Sequence, residues 1–184
     1  KQASEHLSWL SRRWLFNIPR SGQVEGMRPL GRLVFVDHQD RIRDSIQRML
    51  RLITDKSALA AAAAGTGRPF ATDAVDVCLI GSTSGGTASG CLADLGFLTR
   101  HILNRNGLPT SHISALLLHS TSIGGQRSDA QDANSVSFLQ ELHHYGLSGL
   151  QRTTTTRTTS VPAGHPFDTS IFVHLGDDLT TQHL

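Results

Sequence analysis

Cysteine is scarce in this 184-residue sequence: Cys78 and Cys91 are its only two. That excludes a disulfide framework and suits a reducing compartment, so a cytoplasmic location is the expectation. No run approaches the roughly 18 consecutive apolar residues of a membrane span, and no charged start leads into a secretory apolar stretch. Charge of one sign is lacking as well, since 17 Lys and Arg stand against 15 Asp and Glu for a net of +2. Neither nucleic acid nor an anionic membrane is therefore expected as a partner. Ten histidines are present, but they form no H-E-x-x-H, and the adjacent His143 and His144 diverge by roughly 100° on a helix. No metal held by protein ligands alone is expected. An initiating Met is also lacking: the chain opens "KQASEHLSWL" and closes "GDDLTTQHL", so both ends read as cut from something longer.

What is there fits one domain of ordinary size with a sizeable core, although the hydrophobic share, 38%, is low. Trp9, Leu10, Trp14, Leu15 and Phe16 have the spacing of a short helix, followed by a Pro- and Gly-rich loop. From Pro29, a good first helical residue, Leu33, Val36, Ile42, Ile46, Met49, Leu50 and Ile53 recur at mostly three- and four-residue steps. They predict one long amphipathic helix over 29–54. Two biased tracts, 57–73 (alanine-rich, then Gly/Pro-punctuated) and 151–166 (Thr-rich), read as low-complexity linkers or loops. Short apolar runs at 74–80, 112–120 and 168–175 have the pattern of strands covered on both faces. Leu92, Leu95, Leu98 and Ile102, then Ala133, Val136, Leu139 and Leu142, mark the helices between them. Strand, helix, strand, helix, strand predicts neighbouring parallel strands in an open α/β sheet.

Between the first strand and its helix lies "GSTSGGTASG", residues 81–90. Ligands of open α/β sheets bind beyond the carboxyl ends of the strands. Glycines let backbone N–H groups approach a ligand there, hydroxyls add donors, and the following helix contributes orphan N–H groups and its positive dipole end. All of this favours an anion, phosphate above all, over a merely flexible connection. A P-loop is excluded because Gly90 is followed by Cys91 and Leu92 rather than Lys and Ser or Thr. No register supplies the dinucleotide fingerprint either. A nucleophile elbow is approached by "GSTSG", with Thr83 where Ser belongs.

The run "SGGTASG", residues 84–90, resembles the GGGTGSG signature of the tubulin/FtsZ superfamily, with Ser84 for the first Gly and Ala88 for the middle one. "GMRPLGRLVF", "GCLADLGFLTRHI", "ANSVSFLQELHHY" and "PFDTSIFVHLGD" extend the likeness over about residues 26–178, and look more like the bacterial tubulin-like proteins than true tubulin. The resemblance implies a Rossmann-like, three-layer α/β fold with a mostly parallel sheet and helices on both faces, residues 1–184 being a partial nucleotide-binding domain. It implies that Ser84, Gly85, Gly86, Thr87, Ala88, Ser89 and Gly90 hold the phosphates of GTP or GDP, with Mg²⁺ arriving through the nucleotide. Arg28 and Arg32, at the entrance to the long helix, would stand near the γ-phosphate, and Asp129 or Asp132 would accept from ribose hydroxyls. A solvated arginine and a helix N-terminal cap are the alternatives for these groups. Self-association into filaments is implied for the complete protein. Its first Gly-rich loop is expected upstream of Lys1, and its base-reading helix and acidic hydrolytic loop downstream of Leu184. The chain alone would then bind weakly and turn over nothing.

Two more expectations concern the loop. Ala88 must sit at negative φ or bear mild strain if the loop cradles phosphate. Gly86→Val should remove phosphate space while sparing the fold. Two other functions stay open: a tubulin-like scaffold without catalysis, and a serine-type hydrolase using Thr83, Ser84 or Ser89 with Asp168 and His165 or His174. Cys91 is either a low-pKa thiol at a helix N-terminus or a small packing residue.

Overall fold

The computed structural model describes residues 10, 11, 18–71, 73–121, 126–148 and 164–177. The short helix expected around Trp9, Trp14, Leu15 and Phe16, and the Thr-rich tract up to residue 163, lie outside the described residues. Helix α1 spans Arg28–Ile53, with Pro29 in its first turn and Thr54 closing it through a hydrogen bond to the Leu50 carbonyl. Its inward stripe includes Phe35 and Leu50, which are buried, whereas Met49 and Ile53 are 57% and 49% exposed. The alanine tract forms a helix of its own, α2 (Lys56–Thr66), because Asp55 caps it by accepting from Ala58 N–H at 2.8 Å and Gly67 ends it at φ +67°. None of its residues is buried, so it remains a connection.

Three strands follow: β1 (Val77–Ser82), β2 (Ile113–Thr121) and β3 (Thr169–Asp177), in the order β1-β2-β3. Both pairings are parallel, with Val77 beside Ile113 and Ser114 beside Thr169. This is the expected α/β arrangement, although β1 starts three residues later than the apolar run suggested. Helices α3 (Gly86–Arg105) and α4 (Gln126–Ser148) fill the two crossovers. Their Phe97, Leu98, Ile102, Phe138 and Tyr145 meet Ile113, Ala115 and Leu117 in one core, with α1 contributing Phe35 and Leu50. Phe97 and Tyr145 meet edge to face, centroids 5.1 Å apart.

The strands alternate rather than being covered on both faces among the described residues. Val77, Leu79, Ile113, Ala115 and Leu117 face the helices, whereas Cys78 is exposed and Ile80 and Ile171 are 61% and 50% exposed. Cys78 thus lies on the sheet without being buried in it. The stripe of α4 is also displaced: Ser135, Phe138 and Tyr145 are buried, whereas Val136 and Leu139 are exposed. Of the expected stripe, Leu142 packs against the core. Among the described residues, no helix is long and apolar enough to cross a membrane.

Candidate functional site

β1 delivers the loop to the carboxyl end of the sheet, where Thr83 N–H continues the ladder by donating to the Leu118 carbonyl at 2.9 Å. Gly85 is the extended N-cap (φ −81°, ψ 156°) and Gly86 the first residue of α3. The signature is therefore part loop and part first helical turn. Ala88 lies within α3, and Glu25 is the sole non-glycine at positive φ among the described residues, so Ala88 meets the negative-φ requirement. Its methyl packs toward β1, 2.9 Å from where a Cβ on Gly81 would stand. In the helix, Ala is the better former, so this departure from the signature strains nothing.

The glycines serve two different needs. A Cβ on Gly86 would come 2.4 Å from Met27 N and 2.5 Å from Gly26 C, and one on Gly90 would come 2.4 Å from Arg28 O. Both let α3 pass against the chain entering α1, and Gly31 on α1 meets the Gly86 carbonyl just as closely. Gly85 is different, because a Cβ there would meet nothing within 4 Å. The expectation for Gly86→Val is therefore corrected: valine collides with backbone and disturbs the fold as well as any phosphate space. Gly85 is the signature glycine that leaves space at the helix start, and Thr87, beside Gly31 of α1, is exposed.

The hydroxyls turn inward. Thr83, Ser84 and Ser135 are buried, with Thr83 Oγ1 3.0 Å and Ser84 Oγ 3.2 Å from Ser135 Oγ. His119 Nδ1, at the end of β2, lies 3.2 Å from Ser135 Oγ and 3.5 Å from Ser84 Oγ. Ser89 donates back to the Gly85 carbonyl within the first helical turn. Asn134 Nδ2 donates to the Gly26 carbonyl at 2.8 Å and the Ser84 carbonyl at 2.9 Å, which ties α4 to both loops.

Arg28 is engaged rather than solvated. Its guanidinium donates to the Ser89 carbonyl at 3.0 and 2.8 Å and pairs with Glu141 at 2.7 Å, while Tyr145 donates to the other Glu141 oxygen at 2.9 Å. One turn along, Arg32 Nε lies 3.2 Å from Asp94 Oδ2. Burial pushes the Asp94 carboxyl up to about 6, with Glu141 adding to the rise and Arg32 opposing it. Cys91 is the sixth residue of α3, past the first turn, and burial with Asp94 beside it pushes its thiol up to about 11. That overturns a lowered pKa and leaves Cys91 a packing residue. Asp129 and Asp132 are exposed on the first two turns of α4, Asp129 within the first turn where an acidic side chain complements the dipole.

The hydrolase constellation does not assemble. Asp168 accepts from Ile113 N–H at 2.7 Å and pairs with Arg100 at the amino end of the sheet. Ser84 lies beyond Leu118, five strand residues or roughly 16 Å further along. His165 packs against Gly146, and His174 stacks near His119 with ring centroids 5.8 Å apart. Sequence reasoning missed His119, Asn134, Ser135, Asp94 and Glu141. No motif marks them, because each acts through a neighbour distant in sequence. The described residues hold no group of three or more His, Cys, Asp or Glu placed to bind a metal. No curated protein and no solved structure matches the chain. A comparison with protein families matches residues 1–178 to the family described as tubulin like, and the chain belongs to it.

Proposed function

We propose that the chain is the phosphate-holding part of a guanine-nucleotide-binding, filament-forming tubulin-like protein. The observation that carries the reading is the placement of Gly85 and Thr87. They stand at the carboxyl end of a parallel sheet and at the N-terminus of a 20-residue helix, with space above Gly85. An anion fits such a place, since backbone N–H groups and the dipole both favour negative charge. In this reading Ser84, Gly85, Gly86, Thr87, Ala88, Ser89 and Gly90 form the phosphate side. Gly86, Ser89 and Gly90 serve through their backbone and packing, and Arg28 holds the loop from behind through the Ser89 carbonyl. Asp129 and Asp132, exposed at the start of α4, stand on the ribose side. GTP or GDP is the ligand, and Mg²⁺ accompanies it to neutralise phosphate charge. Hydrolysis belongs to the assembled protein, where a neighbouring subunit completes the site, and the cytoplasm is where such filaments form.

Titration of the intact protein with GTP and Mg²⁺, beside Gly85→Val, tests this. Valine is compatible with the Gly85 backbone and its Cβ meets nothing within 4 Å, so the fold should survive while the space above the helix start is filled. Affinity lost with an unchanged unfolding midpoint supports the site; affinity unchanged in Gly85→Val removes it. The scaffold reading is favoured by one observation, the covering of Gly86 by residues 24–27. Failure of the parent to bind GTP at all would select it.

A further inference from the structure

Asn134 reaches both chain segments that meet at the candidate site. It is half-buried on α4, and its amide nitrogen donates to the Gly26 carbonyl at 2.8 Å and to the Ser84 carbonyl at 2.9 Å. An amide nitrogen carries two hydrogens, so these two bonds use its donors fully. Each carbonyl belongs to a peptide unit that bears on the loop. The Ser84–Gly85 peptide leads into the N-cap of α3, and the Gly26–Met27 peptide covers Gly86, where a Cβ would come 2.5 Å from Gly26 C and 2.4 Å from Met27 N. Neither unit is fixed by local chemistry alone. The turn before α1 closes by Met27 N–H donating to the Val24 carbonyl at 2.9 Å, with Glu25 at φ +48° and Gly26 at φ +76°. A glutamate in the left-handed region is disfavoured and persists where its surroundings hold it. Gly85 lacks the Cβ that would restrict its own backbone.

We infer that Asn134 is a positioning residue for phosphate binding: it sets the Ser84–Gly85 peptide so that the Gly85 N–H, and not the Ser84 carbonyl, meets the anion. The inference rests on the nucleotide reading and adds a determinant to the same site. In a planar trans peptide the carbonyl and the N–H point to opposite sides. Holding the Ser84 carbonyl against α4 therefore turns the Gly85 N–H away from α4, at a residue whose Cβ position is open for 4 Å. Without that bond the peptide before a glycine is free to turn over, and its oxygen would then face the phosphate and repel it. The same nitrogen holds the turn over Gly86, so one side chain sets both walls of the helix start. An anion arriving there finds the N–H already oriented and bears no ordering cost.

The experiment measures GTP–Mg²⁺ affinity and the unfolding midpoint of the intact protein for the parent, Asn134→Ala, Asn134→Leu and Ile102→Val. Leucine matches asparagine in shape, carries no charge and has no donor. Ile102 is buried at the far end of α3, about 24 Å from Gly86, so its variant lowers stability without reaching the loop. The expected result is affinity at least about tenfold weaker in both Asn134 variants, the worth of one oriented hydrogen bond to a charged group. Ile102→Val should bind as the parent does. Parent-like affinity in both Asn134 variants overturns the inference and leaves the nucleotide site standing. An equal loss in Ile102→Val also overturns it, because stability alone would then account for the effect. No binding by the parent overturns the nucleotide reading and the inference together. Should the Asn134 variants fail to fold, the parent decides by NMR: the Gly85 amide proton must move downfield when GTP–Mg²⁺ is added, and an unmoved resonance overturns the inference.

Discussion

Gly85, Gly86 and Gly90 look alike in the sequence and differ in what surrounds them. Overpacking backbone against backbone costs about 1–3 kcal/mol, so Gly86→Ala and Gly90→Ala should each lose that much in denaturant unfolding. Gly85→Ala should stay within about 0.5 kcal/mol of the parent. Equal losses at all three positions would show that the crossing of α1 over α3 is not where these glycines act. Ala88 belongs to the same scale. Because it lies inside α3 with its methyl toward Gly81, Ala88→Gly should cost about 1 kcal/mol and lower Tm by roughly 2–4 °C. Nucleotide affinity should be no better for it, since there is no backbone strain to relieve. The two thiols separate as well: Cys91, with its pKa pushed up to about 11, has little thiolate at pH 8, whereas Cys78 is exposed. A thiol reagent should modify Cys78 in the folded protein and reach Cys91 only on unfolding.

Helix α1 is pinned at its start and looser toward its end. At the start, Arg28 joins the Ser89 carbonyl on α3 to Glu141 on α4, with the two side chains 18% and 26% exposed. A double-mutant cycle with Arg28→Met and Glu141→Gln should give a coupling of about 1–2 kcal/mol, above that of an exposed pair because water is partly excluded and Tyr145 orients the carboxylate. A coupling near zero would make the pair incidental. Toward its end, Met49 and Ile53 border an apolar groove of about 800 Å³ between α1, α3 and β1. Helix α2 shows how far local chemistry alone can go. Eleven residues with an Asp55 cap and a Gly67 stop form a helix that buries nothing.

Across the whole molecule, the charges between the helices set a pH dependence. Burial holds the Asp94 carboxyl near 6 against an ordinary value of 3.8. A raised folded-state pKa means that folding favours the protonated acid. Its contribution is complete below about pH 4 and is lost as pH rises through 6, by up to about 3 kcal/mol. Asp94→Asn cannot ionise, so the stability of the parent relative to this variant should fall between pH 4.5 and 7.5. A difference that does not change with pH would mean that Arg32 fully offsets the burial. Asp168 acts with the opposite sign. Burial works against ionisation, but the Ile113 N–H and Arg100 outweigh it and hold the carboxyl below its ordinary value. Its contribution is present at neutral pH and lost in acid. A parent with both groups should therefore be most stable in the weakly acidic range.

The order of elements, the parallel sheet and the signature loop were legible in the sequence because each depends on residues close in the chain. Apolar runs bounded by turn residues mark strands, three- and four-residue steps mark helices, and SGGTASG marks where β1 gives way to α3. The same patterns could not say which face is covered. A periodicity admits more than one phase, and Val136 and Leu139 fit it while Phe138 and Tyr145 do the packing. Nor could they say which glycine spares a neighbouring backbone and which leaves open space, or that Arg28 is held by a carboxylate 113 positions away. His119 has no motif, and only the parallel register of β1 and β2, with α4 packed against β2, brings Ser84, Ser135 and His119 within 3.5 Å of one another. Local sequence determined the elements and where the loop falls. Only the tertiary structure decided its neighbours, because contacts between distant segments depend on how helices cross and strands align.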